Sequence, residues 1–167
     1  FSIVRYGNVI SSRGSVIPYF KDLIKEGKTL LPITDKRMTR FVITLEEGVN
    51  FVLNSLKISC GGEIFVPKLP SIKIIDLVES LLSKGAFKIV GIRPGEKLHE
   101  IMIPEEEAKN CIEMKDKFII TPQLIWWDRE KLDKNIIIHG KKVSENFSYT
   151  SDNNSSWLNV KNLKKII

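Results

Sequence analysis

The sequence predicts an α/β fold, because short β-type segments alternate with amphipathic helical segments along most of the chain. Strand-like runs rich in β-branched and aromatic residues occur at residues 39–43, 63–67 and 87–92. Between them, apolar residues recur at the spacing typical of helices. Strong strands are too few for a complete doubly wound sheet. The pattern therefore indicates the last part of such a sheet.

The first element is a strand end, a polar loop and a helix start. Residues 3–4 end the strand, and Gly7 is predicted to turn the chain with a positive φ. Ser15 suits the N-cap of a helix over residues 16–26. The free N–H groups of this helix and the charge of Arg13 would attract an anion. On turn chemistry alone, an ordinary strand-to-helix turn with a solvated arginine is the commoner explanation.

The second helix is predicted to bury an apolar face. Thr44 and Glu47 form a capping box, which indicates a helix start. Apolar residues follow at helical spacing. They are Leu45, Val49, Val52, Leu53 and Leu56. We expect these five side chains to face the hydrophobic core.

The remaining elements follow from the same signals. An extended segment is predicted at residues 28–34, a turn at 35–38, a helix at 71–84 closed by Gly85, a helix at 105–111, a strand at 118–122 and a helix at 160–167 capped by Asn159. Residues 126–143 are charged and irregular, so no element is assigned to them.

Composition and charge limit the classes of function. The 167 residues are 43% hydrophobic, which is enough for a packed core, and no apolar run approaches the ~20 residues of a membrane span. The net charge of +6 is dispersed, which predicts no nucleic-acid partner and suits a small anionic ligand. The two cysteines fit a reducing, cytoplasmic location. The chain starts inside a strand-like run without Met, so we expect it to be truncated at its N-terminus.

No catalytic or metal-binding group can be assigned from the residues themselves. His99 and His139 lie near no nucleophile elbow, no metal-ligand spacing occurs, and no G-x-G-x-x-G follows a strand. Three arginines, Arg13, Arg40 and Arg93, lie beside extended segments, where guanidinium groups can bind phosphate in bidentate fashion. Each alone is more simply a surface or salt-bridged residue. Together they indicate a diphosphate site.

Seven motifs, which occur in a fixed order and cover nearly the whole chain, carry a family resemblance. They are Arg5-Tyr6-Gly7-Asn8-Val9, Arg13-Gly14-Ser15-Val16-Ile17-Pro18, Ile33-Thr34-Asp35, Met38-Thr39-Arg40-Phe41, Gly62-Glu63-Ile64-Phe65-Val66-Pro67-Lys68, Gly91-Ile92-Arg93-Pro94-Gly95-Glu96-Lys97-Leu98-His99-Glu100 and Tyr149-Thr150-Ser151-Asp152-Asn153-Asn154. This set resembles the C-terminal half of UDP-N-acetylglucosamine 4,6-dehydratases, and most closely the inverting type of the pseudaminic-acid pathway.

The resemblance implies a fold, a reaction and a cofactor. Residues 1–167 would be the C-terminal half of an extended short-chain dehydrogenase/reductase, with the last strands of a Rossmann-like sheet and the substrate-binding subdomain. The NADP-binding half and all catalytic residues would be absent, so we expect the chain alone to be inactive. The implied lyase oxidises the sugar at C4, eliminates water across C5–C6 and returns the hydride at C6. The resemblance also implies a cytoplasmic enzyme that is homo-oligomeric at full length. Its product would be used in the synthesis of pseudaminic acid for flagellin glycosylation, or of related surface polysaccharides.

The resemblance also implies which residues bind the substrate, UDP-N-acetylglucosamine. Asn8 would lie beside the sugar and diphosphate, and Val9 beside the nicotinamide. The loop and helix start that wrap the UDP would be Arg13, Gly14, Ser15, Val16 and Ile17. Thr34, Arg40 and Arg93 would hold the UDP, with the two arginines on its phosphates, and Glu96 would meet the ribose.

Two other classes of function remain open. A retaining dehydratase or a UDP-sugar epimerase on the same scaffold would differ in catalytic residues that this chain lacks. A non-enzymatic module that binds an anionic partner is compatible with the charge, but the ordered motifs disfavour it.

Overall fold

A computed structural model describes residues 1–82, 86–123, 127 and 132–167, apart from the side chain of Asn135. Contacts divide the chain into two compact units. The first unit comprises residues 1–6, 46–68 and 101–150, and the second comprises residues 7–45, 69–100 and 151–167. Each unit combines helices with strands, and several strand pairs are parallel, so the α/β prediction is confirmed.

The described residues form short strands and five α-helices. The strands are β1 (Ile3–Val4), β2 (Asn8–Val9), β3 (Leu31–Ile33), β4 (Thr39–Ile43), β5 (Ile64–Pro67), β6 (Ser71–Lys73), β7 (Phe87–Ile89), β8 (Ile101–Ile103), β9 (Cys111–Glu113), β10 (Lys117–Ile120), β11 (Lys141–Lys142) and β12 (Tyr149–Thr150). The helices are α1 (Val16–Lys25), α2 (Leu45–Ile58), α3 (Ile74–Leu81), α4 (Lys134–His139) and α5 (Val160–Ile166). None of these helices combines the length and hydropathy needed to cross a lipid bilayer.

The first unit is built on a mixed five-stranded sheet in the order β1-β5-β10-β9-β11. β1 is parallel to β5, whereas the other neighbours are antiparallel. Strands β8 and β12 form a separate antiparallel pair. One buried cluster of this unit consists of Phe65, Ile119, Leu132 and Ile136. Phe51 and Ile58 of α2 pack against this core, as does Val4 of β1.

The second unit contains a three-stranded sheet, β2-β4-β6, and a parallel pair, β3-β7. Helices α1, α3 and α5 contribute to one core with these strands. Its buried residues are Ile17, Phe20, Leu31, Ile33, Met38, Val42, Ile72, Ile74, Leu77, Val78 and Leu163. α1 buries the apolar face that its spacing predicts, and the side chain of Asn159 caps α5 by accepting from the backbone N–H of Asn162 at 3.0 Å.

Several elements differ from the sequence-based predictions. A helix is predicted over residues 71–84, but its first three residues form strand β6, which pairs with β4, and only α3 is helical. Gly85, the predicted end of that helix, lies outside the described residues. The helix predicted over residues 105–111 is a 3₁₀-helix at Glu105–Asn110 followed by β9, because pairing with β10 outweighs helix propensity there. Within residues 126–143, for which the sequence predicts no element, the described residues form α4 and β11.

Gly7 is needed for a different reason from the one predicted. It does not have a positive φ. Instead, a Cβ atom at this position would lie 2.6 Å from Cβ of Phe41 and 2.7 Å from its carbonyl oxygen. Glycine therefore permits the close approach of the chain just before β2 to strand β4.

The prediction that α2 buries its apolar face is wrong. The five residues concerned, Leu45, Val49, Val52, Leu53 and Leu56, are between 40% and 71% exposed. α2 instead turns a narrow stripe inward, which includes the buried residues Gly48 and Ser55. Phe51 and Ile58 lie on the same stripe and pack against the core of the first unit, so this stripe, and not the predicted face, is the buried side of α2.

Candidate functional site

The residues predicted to bind substrate or cofactor all belong to the second unit. They lie in three places: on β2, the loop after it and the first turn of α1; just after β3 and on β4; and in the loop that follows β7.

Thr34 and the loop after β7 are brought together by the parallel pair β3-β7. In this pair Leu31 lies opposite Phe87 and Ile33 lies opposite Ile89, so the carboxyl ends of the two strands are side by side. This edge of a parallel sheet is where α/β proteins collect ligand-binding groups. The hydroxyl of Thr34 donates to one carboxylate oxygen of Glu96 at 3.1 Å, and the backbone N–H of Arg93 donates to the other at 3.2 Å. The structure thus groups three of the predicted residues.

The guanidinium of Arg93 is available for an anion. Residues 93–96 form a tight turn, in which the N–H of Glu96 donates to the carbonyl oxygen of Arg93 at 3.0 Å. Gly95 adopts a φ of 80°, a conformation that favours glycine. The Arg93 side chain is exposed and takes part in no ion pair within the described part of the chain.

Arg40 is held very differently. Its side chain is only 13% exposed, and its Nε lies 3.2 Å from the carboxylate of Glu100. Its terminal nitrogens donate to three carbonyl oxygens, those of Thr39 at 2.7 Å, Leu98 at 3.0 Å and Lys97 at 2.9 Å. Burial lowers the pKa of this guanidinium, while the carboxylates of Glu100 and Glu96 oppose the shift. Arg40 therefore organises residues 97–100, and its contact with phosphate stays a prediction.

A hydrogen-bonded chain of side chains supports the same segment. The hydroxyl of Thr39 lies 2.8 Å from Nδ1 of His99 and 2.6 Å from the hydroxyl of Ser151. The Ser151 hydroxyl accepts from the backbone N–H of Glu100 at 2.9 Å. Sequence reasoning assigned no role to Thr39, His99 or Ser151. The available signal was that all three occur within the seven motifs.

The loop between β2 and α1 presents further donors. Asn8 is exposed on β2, which pairs in parallel with β4. Ser15 occupies the N-cap position of α1, but its side chain makes no capping bond, and its hydroxyl is buried without a partner among the described residues. Arg13 is exposed beside it. Ile17, in contrast, places its side chain in the core, so only its backbone could meet a ligand.

A second feature of this unit is an open cavity of about 700 Å³, which Thr39 and His99 line. Its charged lining residues include Arg37, Lys73, Asp76 and Asp152. Arg37, at the rim, is exposed but paired with Asp35 at 2.8 Å. Hydrogen bonds from the Arg37 side chain and backbone lower the pKa of Asp35 to about 2. The cavity contains charged groups of both signs and none of the residues predicted to bind UDP.

Comparison with known proteins identifies a family and relatives with two activities. The family described as "Polysaccharide biosynthesis protein" matches residues 1–122. The chain is 49% identical, over its whole length, to the UDP-N-acetylglucosamine 4,6-dehydratase (inverting) of Campylobacter jejuni, of which it covers 51%. It is 36% identical, over 99% of its length, to the UDP-glucose 4-epimerase of Rickettsia conorii, of which it covers 48%.

A solved structure extends this likeness to three dimensions. The X-ray structure of Pen from Bacillus thuringiensis matches 99% of this chain with a TM-score of 0.79 and 32% sequence identity, and 48% of that protein is covered. The chain spans about half the length of the curated relatives it matches. The resemblance to UDP-N-acetylglucosamine 4,6-dehydratases that the motifs indicate is confirmed. Because the family match also covers most of the sequence, the chain belongs to the family of polysaccharide biosynthesis proteins.

Proposed function

We propose that this chain is the UDP-sugar-binding half of a C5-inverting UDP-N-acetylglucosamine 4,6-dehydratase. The observation that carries the proposal is the 49% identity over the whole chain to an inverting dehydratase. The corresponding value for the UDP-glucose 4-epimerase is 36%. An epimerase or a retaining dehydratase is the second candidate, since the same scaffold spans relatives with more than one activity.

The geometry around Arg93 supports binding of the UDP portion. We place the exposed guanidinium of Arg93 on the diphosphate, where it can make two parallel hydrogen bonds to phosphate oxygens. The Glu96 carboxylate already accepts from Thr34 and from the backbone of Arg93. A carboxylate has about four lone-pair sites, so it retains capacity for a ribose hydroxyl.

The start of α1 supports binding of the same anion. Its first N–H groups have no partners within the helix and carry the positive end of the helix dipole. The unpartnered hydroxyl of Ser15 is one more donor at this point. We assign Arg13 and residues 14–17 to the phosphates, with Ile17 acting through its backbone, and Asn8 to the sugar.

The proposed reaction would need a nicotinamide cofactor, which would supply the hydride-transfer chemistry when bound. Val9 is the one residue that we assign to it, as an apolar contact from β2. The chain contains no Gly-rich dinucleotide fingerprint after a strand. We therefore propose that NADP and the catalytic residues belong to a half of the enzyme outside this chain, and that this chain alone does not catalyse the reaction.

The proposed product is a UDP-4-keto-6-deoxy-N-acetylhexosamine. Such a sugar nucleotide would serve pseudaminic acid and flagellin glycosylation, or a related surface polysaccharide. We propose a cytoplasmic homo-oligomer as the working form of the whole enzyme.

Isothermal titration of the 167-residue chain with UDP-N-acetylglucosamine, UDP-glucose and UDP tests this function. We expect all three to bind through the shared UDP, and UDP-N-acetylglucosamine to bind most tightly. A preference for UDP-glucose would favour the epimerase. Lack of binding by every UDP compound would contradict both candidates. Formation of a 4-keto-6-deoxy product by the chain with added NADP would overturn the expectation of inactivity.

A further inference from the structure

The cavity that Thr39 and His99 line is large enough for a small organic ligand. Its volume of about 700 Å³ falls within the range of about 300–1,000 Å³ that is typical of ligand pockets. All of its described lining residues belong to the second unit. Since none of them is assigned to UDP, the proposed function leaves this cavity without a ligand.

The charges in the cavity are balanced. Arg37 and Lys73 are the positive groups among its described lining residues, and Asp76 and Asp152 are the negative ones. Burial raises the pKa of the Asp76 carboxyl, and the nearby charge of Lys73 opposes this shift. A pocket that offers donors and acceptors without an excess of one charge favours a neutral polar ligand over an anion or a cation.

The hydrogen bonds behind His99 determine which of its ring nitrogens carries the proton. The fully buried Ser151 hydroxyl accepts from the N–H of Glu100, and among the described residues its own proton can go only to the Thr39 hydroxyl, 2.6 Å away. The Thr39 proton is then directed at Nδ1 of His99, 2.8 Å away. A proton on Nδ1 would reverse this chain and leave the Ser151 hydroxyl without an acceptor, which is costly in a buried position. The imidazole is therefore the neutral tautomer with its proton on Nε2.

This Nε2 proton and the Asp152 carboxylate form a donor and an acceptor with a gap between them. Nε2 lies 3.9 Å from the nearer carboxylate oxygen, beyond the distance of a direct hydrogen bond. The two side chains are 28% and 46% exposed, and both line the cavity. A hydroxyl group can accept one hydrogen bond while it donates another, so a ligand hydroxyl can join the two side chains.

Trp157 adds an aromatic surface to the same cavity. It is 37% exposed, and its indole N–H donates to the carbonyl oxygen of Asn154 at 2.6 Å, which holds the ring in place. The ammonium group of Lys73 lies 6.0 Å from the ring centroid. An aromatic ring beside polar groups suits a ligand with an apolar face and a polar edge. The C–H face and the hydroxyl groups of a pyranose have this arrangement.

We propose that this cavity binds a neutral saccharide. A pyranose ring packs on Trp157, and one of its hydroxyls accepts from Nε2 of His99 and donates to the carboxylate of Asp152. The proposal does not depend on the proposed function, because it uses none of the residues assigned to UDP.

Titration calorimetry of the 167-residue chain with N-acetylglucosamine and its β1,4-linked disaccharide tests the proposal. Saturating UDP-N-acetylglucosamine is present, so that a saccharide cannot occupy the proposed UDP-sugar site. We expect the disaccharide to bind the wild type, and Asp152→Ala and Trp157→Ala each to lower its affinity about tenfold or more. Trp157→Phe keeps an aromatic face and should retain most of the affinity. The matched control is Asp22→Ala, which removes an exposed carboxylate of the same unit outside the cavity and should change the affinity by less than about twofold.

Two further measurements keep the outcomes distinct. Circular dichroism establishes that each variant is folded, and nitrogen NMR should find no proton on Nδ1 of His99 and a shift of its Nε2 signal on addition of the disaccharide. His139, which lies in the first unit, is the internal reference. Lack of saccharide binding by the wild type, equal binding by Asp152→Ala and Trp157→Ala, or a proton on Nδ1 would overturn the proposal. Binding of UDP-N-acetylglucosamine without saccharide, measured on the same samples, tests the proposed function separately.

Discussion

Arg40 and Arg93 occupy comparable places in the sequence but opposite environments in the structure. Each lies in or just after an extended segment of the second unit. Arg40 is nearly buried, with one carboxylate and three carbonyl oxygens around its guanidinium. Arg93 is exposed, and only its backbone is engaged, through the Glu96 carboxylate and carbonyl contacts of the turn.

Because of this difference, Arg40 stabilises the local structure, whereas the guanidinium of Arg93 is available to bind a ligand. The groups that surround Arg40 belong to residues 97–100, the continuation of the loop that carries Arg93. Arg40 therefore holds the segment that follows the Arg93 turn. A guanidinium whose donors are already used gains little from a phosphate, whereas an exposed one can form charge-assisted bonds with it.

The largest effect is expected for Arg40→Ala. It removes the guanidinium donors from the Glu100 carboxylate and from three carbonyl oxygens, of which that of Leu98 keeps the Thr39 N–H at 3.2 Å. We therefore expect a loss of about 3 kcal/mol in the free energy of unfolding. Urea unfolding followed by circular dichroism measures this loss. Arg40→Lys should recover only part, because an ammonium group cannot reach all four acceptors. A stability change below about 0.5 kcal/mol for Arg40→Ala would remove the distinction between the two arginines.

A smaller effect, seen in binding and not in folding, is expected for Arg93→Ala. Loss of one partner of a charge-assisted pair costs ~2 kcal/mol or more, so UDP affinity should fall roughly thirtyfold or more. The free energy of unfolding should change by less than about 0.5 kcal/mol. Titration calorimetry with UDP measures the affinity, and Arg93→Lys should restore part of it.

The matched control for Arg93 is Arg37→Ala, which also removes an exposed arginine of the second unit. Arg37 is paired with Asp35 and was not predicted to bind UDP. We expect its removal to leave UDP affinity within about twofold, which is about 0.4 kcal/mol, because Arg37 lies outside the proposed UDP site. Equal losses for both variants would show a general effect of positive charge and not a site at Arg93.

The smallest effect concerns the carboxyl group of Asp35. The Arg37 guanidinium and backbone N–H hold its pKa at about 2, below the ordinary value of 3.8. In Arg37→Gln the side-chain hydrogen bonds and charge are lost, so the pKa should rise toward 3.8. Because the folded pKa is depressed, the pair stabilises the fold above about pH 4, and this contribution disappears as the pH falls toward 2. NMR titration of the Asp35 carboxyl carbon measures the shift, and an unchanged pKa would contradict the pairing.

Local sequence signals predicted the elements that depend on local interactions. Strand β4, helix α1 and the Asn159 cap of α5 follow from apolar spacing and capping chemistry. The exposure of the apolar face of α2 and the strand β9 did not follow, because periodicity identifies an apolar face without saying whether it is buried, and strand pairing depends on distant partners.

The candidate site was predictable only as a set of residues. The motif resemblance named Thr34, Arg93 and Glu96, and the structure brings them together. The distinct role of Arg40 required knowledge of Glu100 and of three carbonyl oxygens, which no local pattern reveals. The Thr39–Ser151 hydrogen bond joins residues 112 positions apart, beyond the reach of any sequence periodicity.

The parallel pairing of β3 with β7 also has a consequence for how the site forms. The Thr34–Glu96 hydrogen bond that depends on it joins residues 62 positions apart. Closing such a long loop lowers the entropy of the chain before the contact can stabilise it, and long-range contacts of this kind slow folding. During synthesis Thr34 leaves the ribosome well before Glu96, so their hydrogen bond cannot form until both residues have emerged. The edge that we propose to bind UDP would therefore form late in folding, and UDP binding would report that this part of the second unit has folded.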